Sequence, residues 1–137
     1  PPVLPLFQNL QALELLSVLA ATPTEKTLIV LGDINSSPDD LDDFPGSPYE
    51  QFTAAGYTDA WTLRPGNVSG NSCCQLADLS NKKSVLDQRI DMVFTKIVPA
   101  SVKQARVLGD KVSSKTHPPG LGLWSSDHGA VAAELRF

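Results

Sequence analysis

Long apolar runs, basic clusters and spaced cysteines are all missing from this chain. No stretch reaches the ~20 consecutive apolar residues that cross a bilayer, so no transmembrane segment is expected. Charged residues make up only 19% of the chain and the net charge is −4. The basic run of a non-specific nucleic-acid binder is absent, which tells against large nucleic-acid targets without excluding metal-assisted chemistry on them. The only cysteines, Cys73 and Cys74, are adjacent. Adjacent cysteines close only a strained ring, so a vicinal disulfide is an uncommon outcome. Two readings stay open: free thiols, or pairing with upstream cysteines as in a secreted or periplasmic protein. Zinc wants four ligands at wider spacing than this pair alone offers. The chain opens Pro1-Pro2 and its single methionine is Met92, so an upstream segment, with any signal peptide, is expected to have been removed.

What is present suits one domain, residues 1–137, with 42% hydrophobic content and enough chain to bury a core. Phe7 to Ala20 reads as an amphipathic helix with Leu10, Leu13, Leu16, Val18 and Leu19 as its apolar positions, stopped by Pro23. Thr27 to Leu31 is a β-branched apolar run, the pattern of a strand buried on both faces. Ser47, Pro48 and Glu50 spell an N-cap, a proline at the first helical position and a capping box, and Gly56 closes that short helix. Further strands are expected at 58–62, 89–95, 102–108 and 128–136. The pattern is α+β.

Three polar blocks fall at the ends of these strands: Gly32-Asp33-Ile34-Asn35, Arg89-Ile90-Asp91 and Ser126-Asp127-His128. A rigid sheet that gathers carboxylates, an amide and an imidazole at its edge can hold a metal and a phosphate. A carboxylate such as Asp33 can position and deprotonate water, and an amide such as that of Asn35 can orient or stabilise. Each block also has an ordinary reading. Asp33 can cap a turn, Asp127 can sit in a strand-entry turn, and Asp91 can pair with Arg89 two residues away. A carboxylate inside an apolar strand needs some such partner, and a histidine would serve equally, held charged and oriented as in a triad.

The order GDxN, RID, SDH resembles the endonuclease/exonuclease/phosphatase superfamily, the deoxyribonuclease I-like fold. The resemblance extends to the helix before GDxN and to Gly56-Tyr57-Thr58-Asp59-Ala60-Trp61 after it. It covers only the second half of that fold, so the chain is expected to be the C-terminal portion of such a domain. The implied architecture is one mixed sheet of an α/β sandwich, flanked by helices and carrying all five strands. The implied function is part of a Mg²⁺-dependent (or Mn²⁺-dependent) phosphoesterase, hydrolysing a phosphodiester or phosphomonoester by activated water. A non-catalytic binding module on the same scaffold is the alternative. By the same resemblance Asp33 activates the water, Asn35 stabilises the phosphorus centre, and His128, held by Asp91, donates to a phosphate oxygen. Asp127 and Asp33 hold the metal. Asp59 and Arg89 fall outside the site.

The superfamily's first half supplies a glutamate ligand, an asparagine and another histidine. Here the only other histidine is His117, late in a proline-rich loop. Metal is therefore expected to bind weakly, and this chain alone to be inactive. The expected partners are a phosphate-ester substrate, nucleic acid being one the superfamily allows, and the missing N-terminal half or a homodimer mate covering an apolar sheet face.

Overall fold

The computed structural model describes residues 3–23, 27–40, 46–116 and 122–137. Pro1-Pro2, His117 and Pro118-Pro119-Gly120 lie outside the described residues, as do Asp42, Asp43 and Pro45. Two α-helices, α1 (Val3–Ala20) and α2 (Pro48–Ala54), accompany five strands: β1 (Ile29–Asp33), β2 (Thr58–Asp59), β3 (Asp91–Thr95), β4 (Ser101–Leu108) and β5 (Ala130–Arg136). Among the described residues no helix is long and apolar enough to cross a membrane.

The strands do not form the single sheet expected from the sequence. Described residues give a three-stranded antiparallel sheet in the order β1-β3-β2 and a separate β4-β5 hairpin. The division has a local cause. After two residues β2 breaks into a 3-10 helix, Ala60–Leu63, because the Asp59 carboxylate caps the backbone of Trp61 instead of letting the strand run on to Leu63. Ala60, fully buried, then packs with Val102 and Ala105, and Trp61, Val93, Ala133 and Leu135 close around them. The hairpin is thereby joined to the sheet by side chains. A bulge between Val102 and Gln104 shifts the pleat of β4, so that Val102 and Ala105, three apart, are both buried.

The second core lies between the helices and β3. Phe52 of α2 stacks on Phe94 of β3 with ring centroids 4.9 Å apart, and Tyr57 meets Phe52 edge-on. Met92 and Ala12 complete the cluster. The α2 N-terminus follows its sequence signature: Ser47 accepts from Glu50 N, Glu50 returns a bond to Ser47 N, and Pro48 opens the helix.

Two expectations fail on one side of the molecule. Helix α1 starts at Val3 and is not amphipathic. Ala12, Leu16 and Leu19 pack inward, whereas Leu10, Leu13 and Val18 are exposed, with Leu6, Phe7 and Leu15. Apolar residues interleave with exposed Gln11, Glu14 and Ser17 around the outer side, so no separate polar face forms. Strand β1 is an edge strand rather than one buried on both faces, and Leu31 is 71% exposed. Among the described residues nothing covers that face.

Candidate active site

β1 and β3 pair antiparallel so that Asp33, the last residue of one, stands opposite Asp91, the first of the other. Two of the three blocks therefore meet at one sheet end. Gly32 adopts φ +143° in this ladder, and a Cβ there would touch nothing within 4 Å. Its glycine is favoured by backbone conformation rather than by crowding. Asn35 follows at φ 49° and its N–H donates to Asp33 Oδ1 at 2.7 Å. Asp33 thus does cap a turn, as its ordinary reading holds, while its second oxygen stays available.

The third block arrives through a segment between the strands. Cys73 bridges Gln88 on one side and His128 on the other. Its neighbour Ser72, fully buried, accepts the Asp91 N–H on its hydroxyl (3.2 Å) and the Gly129 N–H on its carbonyl (2.7 Å). Gly129 has to be glycine, since a Cβ would lie 2.6 Å from Val107. The result is an imidazole held between carboxylates. His128 Nδ1 lies 2.9 Å from Asp91 Oδ2, and Nε2 lies 4.0 Å from Asp33 Oδ2. Burial pulls this imidazole's pKa down, but the Asp91 hydrogen bond and charge, then Asp33 and Asp127, outweigh it, and the net direction is up from the usual 6.5. An Asp91-bound Nδ1–H leaves Nε2 facing Asp33 and solvent.

Asp127 is placed less tightly. Its Oδ1 accepts from Ser126 (3.3 Å) and its backbone carbonyl accepts from Gln75 N. Among the described residues it joins no three-ligand group with Asp33; the group that does form is Cys73, Cys74 and His128. The two cysteines are joined as a vicinal disulfide, an outcome the sequence reading held uncommon. Ser72 and the cysteine pair are the site residues that sequence reasoning missed. A single buried serine carries no periodic signal, and nothing local ties Cys73 to a histidine 55 positions away (128 − 73).

Arg89 does not pair with Asp91. It reaches Asp59 Oδ2 at 2.7 Å, where Tyr49 also donates, and its guanidinium lies over the Tyr49 ring. This buried pair anchors the approach to β3 and leaves Asp91 to His128. Trp124 is buried, donating to Asn81 O, so it belongs to the packing.

Beside Asp33 and Asn35 a cleft of about 180 Å³ opens against Gln8, Gln11 and Leu15 of α1 and Pro48 and Phe52 of α2. Pockets for drug-sized molecules start near ~300 Å³, so this one has room for a phosphate-sized group.

No family model matches the sequence, and no curated protein matches it. Among solved structures the chain is similar to an endonuclease/exonuclease/phosphatase family protein from Leptotrichia buccalis C-1013-b, with a TM-score of 0.60 and 17% sequence identity. The likeness takes in 92% of this chain and 42% of that one. The chain therefore has the fold of part of an endonuclease/exonuclease/phosphatase family protein, a mixed helix-and-strand scaffold spanning less than half of that protein's length.

Proposed function

We propose that this chain carries one side of a phosphoesterase site, with Asp33, Asn35, Asp91 and His128 as its chemical groups. The observation that carries the reading is the Asp91–His128–Asp33 line, 2.9 Å and 4.0 Å long, at the shared end of β1 and β3. Asp33 has the position and chemistry of a general base that orients and deprotonates water. His128, kept protonated by Asp91, donates to a phosphate oxygen through Nε2. The Asn35 amide steadies charge developing at phosphorus.

Asp33 and Asp127 offer hard oxygen donors, the kind Mg²⁺ or Mn²⁺ takes, and Mg²⁺ commonly accepts one or two carboxylates while keeping its waters. Those two residues would hold the ion, which when bound neutralises charge on phosphate and leaving group. Two carboxylates make a weak site, so this chain alone is expected to be inactive. The uncovered apolar surface of α1 and β1 suits a further layer of a sandwich, from the rest of a domain or from a second copy of the chain.

Calorimetry with inorganic phosphate and Mg²⁺ tests the reading. The wild type should bind phosphate in a Mg²⁺-dependent manner. Asp33→Asn and His128→Gln should each weaken binding by about tenfold or more, as expected for loss of a charged contact. Affinity indifferent to both substitutions would refute the assignment. Binding without turnover of any phosphate ester, even when the apolar surface is covered, would return the chain to a non-catalytic binding module.

A further inference from the structure

Cys73 and Cys74 do more than staple a loop, because of where they lie. One sulfur of each and a ring nitrogen of His128 all fall within 4.8 Å of one another. Ligand atoms around a tetrahedral zinc ion stand roughly 3.3–3.8 Å apart, so once the disulfide opens the two sulfurs would part and the imidazole nitrogen would close on them by no more than about 1 Å. Their backbone is held for the purpose. Cys73 N donates to Gln88 O, its carbonyl accepts from Asp87 and Gln88, and it bridges to His128 across the other edge. Cys73 itself is 1% exposed.

The imidazole is also prepared as a ligand. Once the Nε2 proton is lost, an Nδ1–H given to Asp91 leaves the lone pair on Nε2, the carboxylate–histidine arrangement that backs many metal ligands. Thiolates select soft or borderline ions such as Zn²⁺ and Cd²⁺ over Mg²⁺. Two thiolates, one imidazole and one open position for water complete four-coordination.

We infer that, once its vicinal disulfide is reduced, the Cys73–Cys74 pair forms with His128 a site for a thiophilic divalent cation. Occupation of that site withdraws His128 from phosphate. Reduction proceeds by thiol–disulfide exchange with a dithiol, which supplies two electrons and two protons and is itself oxidised to its disulfide. The cysteine protons and the Nε2 proton of His128 leave when the cation binds. The binding site stands on the cluster geometry; only the antagonism with phosphate rests on the proposed phosphoesterase reading.

The experiment compares oxidised protein with protein reduced by dithiothreitol and desalted without air, each titrated with Cd²⁺ in the ultraviolet. The reduced protein should take up one Cd²⁺ per chain with a thiolate-to-metal charge-transfer band, and the oxidised protein none. Cys73→Ser and Cys74→Ser should each abolish the band. His128→Gln should weaken binding by about tenfold or more, and Asp91→Asn, which keeps the imidazole, by about tenfold. Circular dichroism of each variant guards against misfolding, and the Asp91→Asn result stands if the His128 variant fails to fold. The inference is overturned by no band after reduction, by one Cd²⁺ shared between two chains, or by affinities unmoved in both His128→Gln and Asp91→Asn. Cd²⁺ uptake as described, in a wild type that never binds phosphate, would sink the phosphoesterase reading and leave this site in place.

Discussion

The two ends of β1 live under opposite rules. At its C-terminal end Asp33 is tied into a closed polar network in which Asn35, Asp91, Ser72 and His128 find one another within a few ångströms. Along its body, Ile29 and Leu31 point apolar side chains at solvent, and the neighbouring α1 does the same with Leu6, Phe7 and Val18. Buried Ser72 and half-buried Asp91 and His128 need polar partners close by and find them within the chain, while Asp33 and Asn35 stay exposed at the rim. Exposed apolar area costs little per residue and can stand on a surface without a partner group. The hydrogen-bond network closes within the chain; the face behind it is open among the described residues.

The contrast breaks most severely at Asp59. Asp59→Ala would strand the buried Arg89 guanidinium, remove the acceptor for Tyr49 and uncap the 3-10 helix. A loss of about 3–5 kcal/mol is expected, as when one member of a buried ion pair is removed. Urea unfolding would measure it, and a change under about 1 kcal/mol would mean the pair is not structural.

Next in size is Gly129→Ala. The new methyl would press on Val107 and Leu108 O beside His128, at about 1–3 kcal/mol. Broadened or shifted NMR signals of His128, relative to the wild type, would report the disturbance reaching the site.

The His128–Asp91 pair gives a pH dependence with a definite sign. The folded pKa lies above the unfolded value near 6.5, so the pair's contribution is fully present below that value. It is lost as pH rises through the folded pKa. Asp91→Asn should flatten this part of the stability profile and lower the imidazole pKa. A wild-type imidazole titrating below 6.5 would contradict the pairing.

The smallest effect is expected on the open face. Leu31→Ala should change the stability of the isolated chain by no more than about 0.5 kcal/mol, like other surface substitutions. A much larger loss would mean that the strand is already covered. Analytical ultracentrifugation of Leu31→Lys against wild type would then identify a self-association seam.

Much of the fold was legible where local chemistry decides it. The Ser47-Pro48-Glu50 signature fixed the start of α2, and the apolar run after Asp91 fixed β3. The three blocks pointed to one sheet end because strand termini collect side chains by construction. Burial was not legible. An apolar run such as Leu28 to Leu31 reads the same whether its second face is covered by this chain or left for another, so β1 and α1 were expected deeper than they lie. Nor was the split of the sheets, which depends on the side chain of Asp59 winning the Trp61 N–H from a strand partner. The place of Cys73 between Gln88 and His128 is a long-range pairing that no local pattern announces.

The central claim is that Asp33, Asn35 and His128 form one phosphate-binding site. Nitrogen-15 NMR of the His128 imidazole and the Asn35 amide, with and without inorganic phosphate and Mg²⁺, tests it directly. Both residues should shift together, with His128 protonated on both nitrogens, and Asp33→Asn should abolish the response. Signals that stay put on adding phosphate, or an Asn35 shift that leaves His128 unmoved, would show that the three residues do not act as one site.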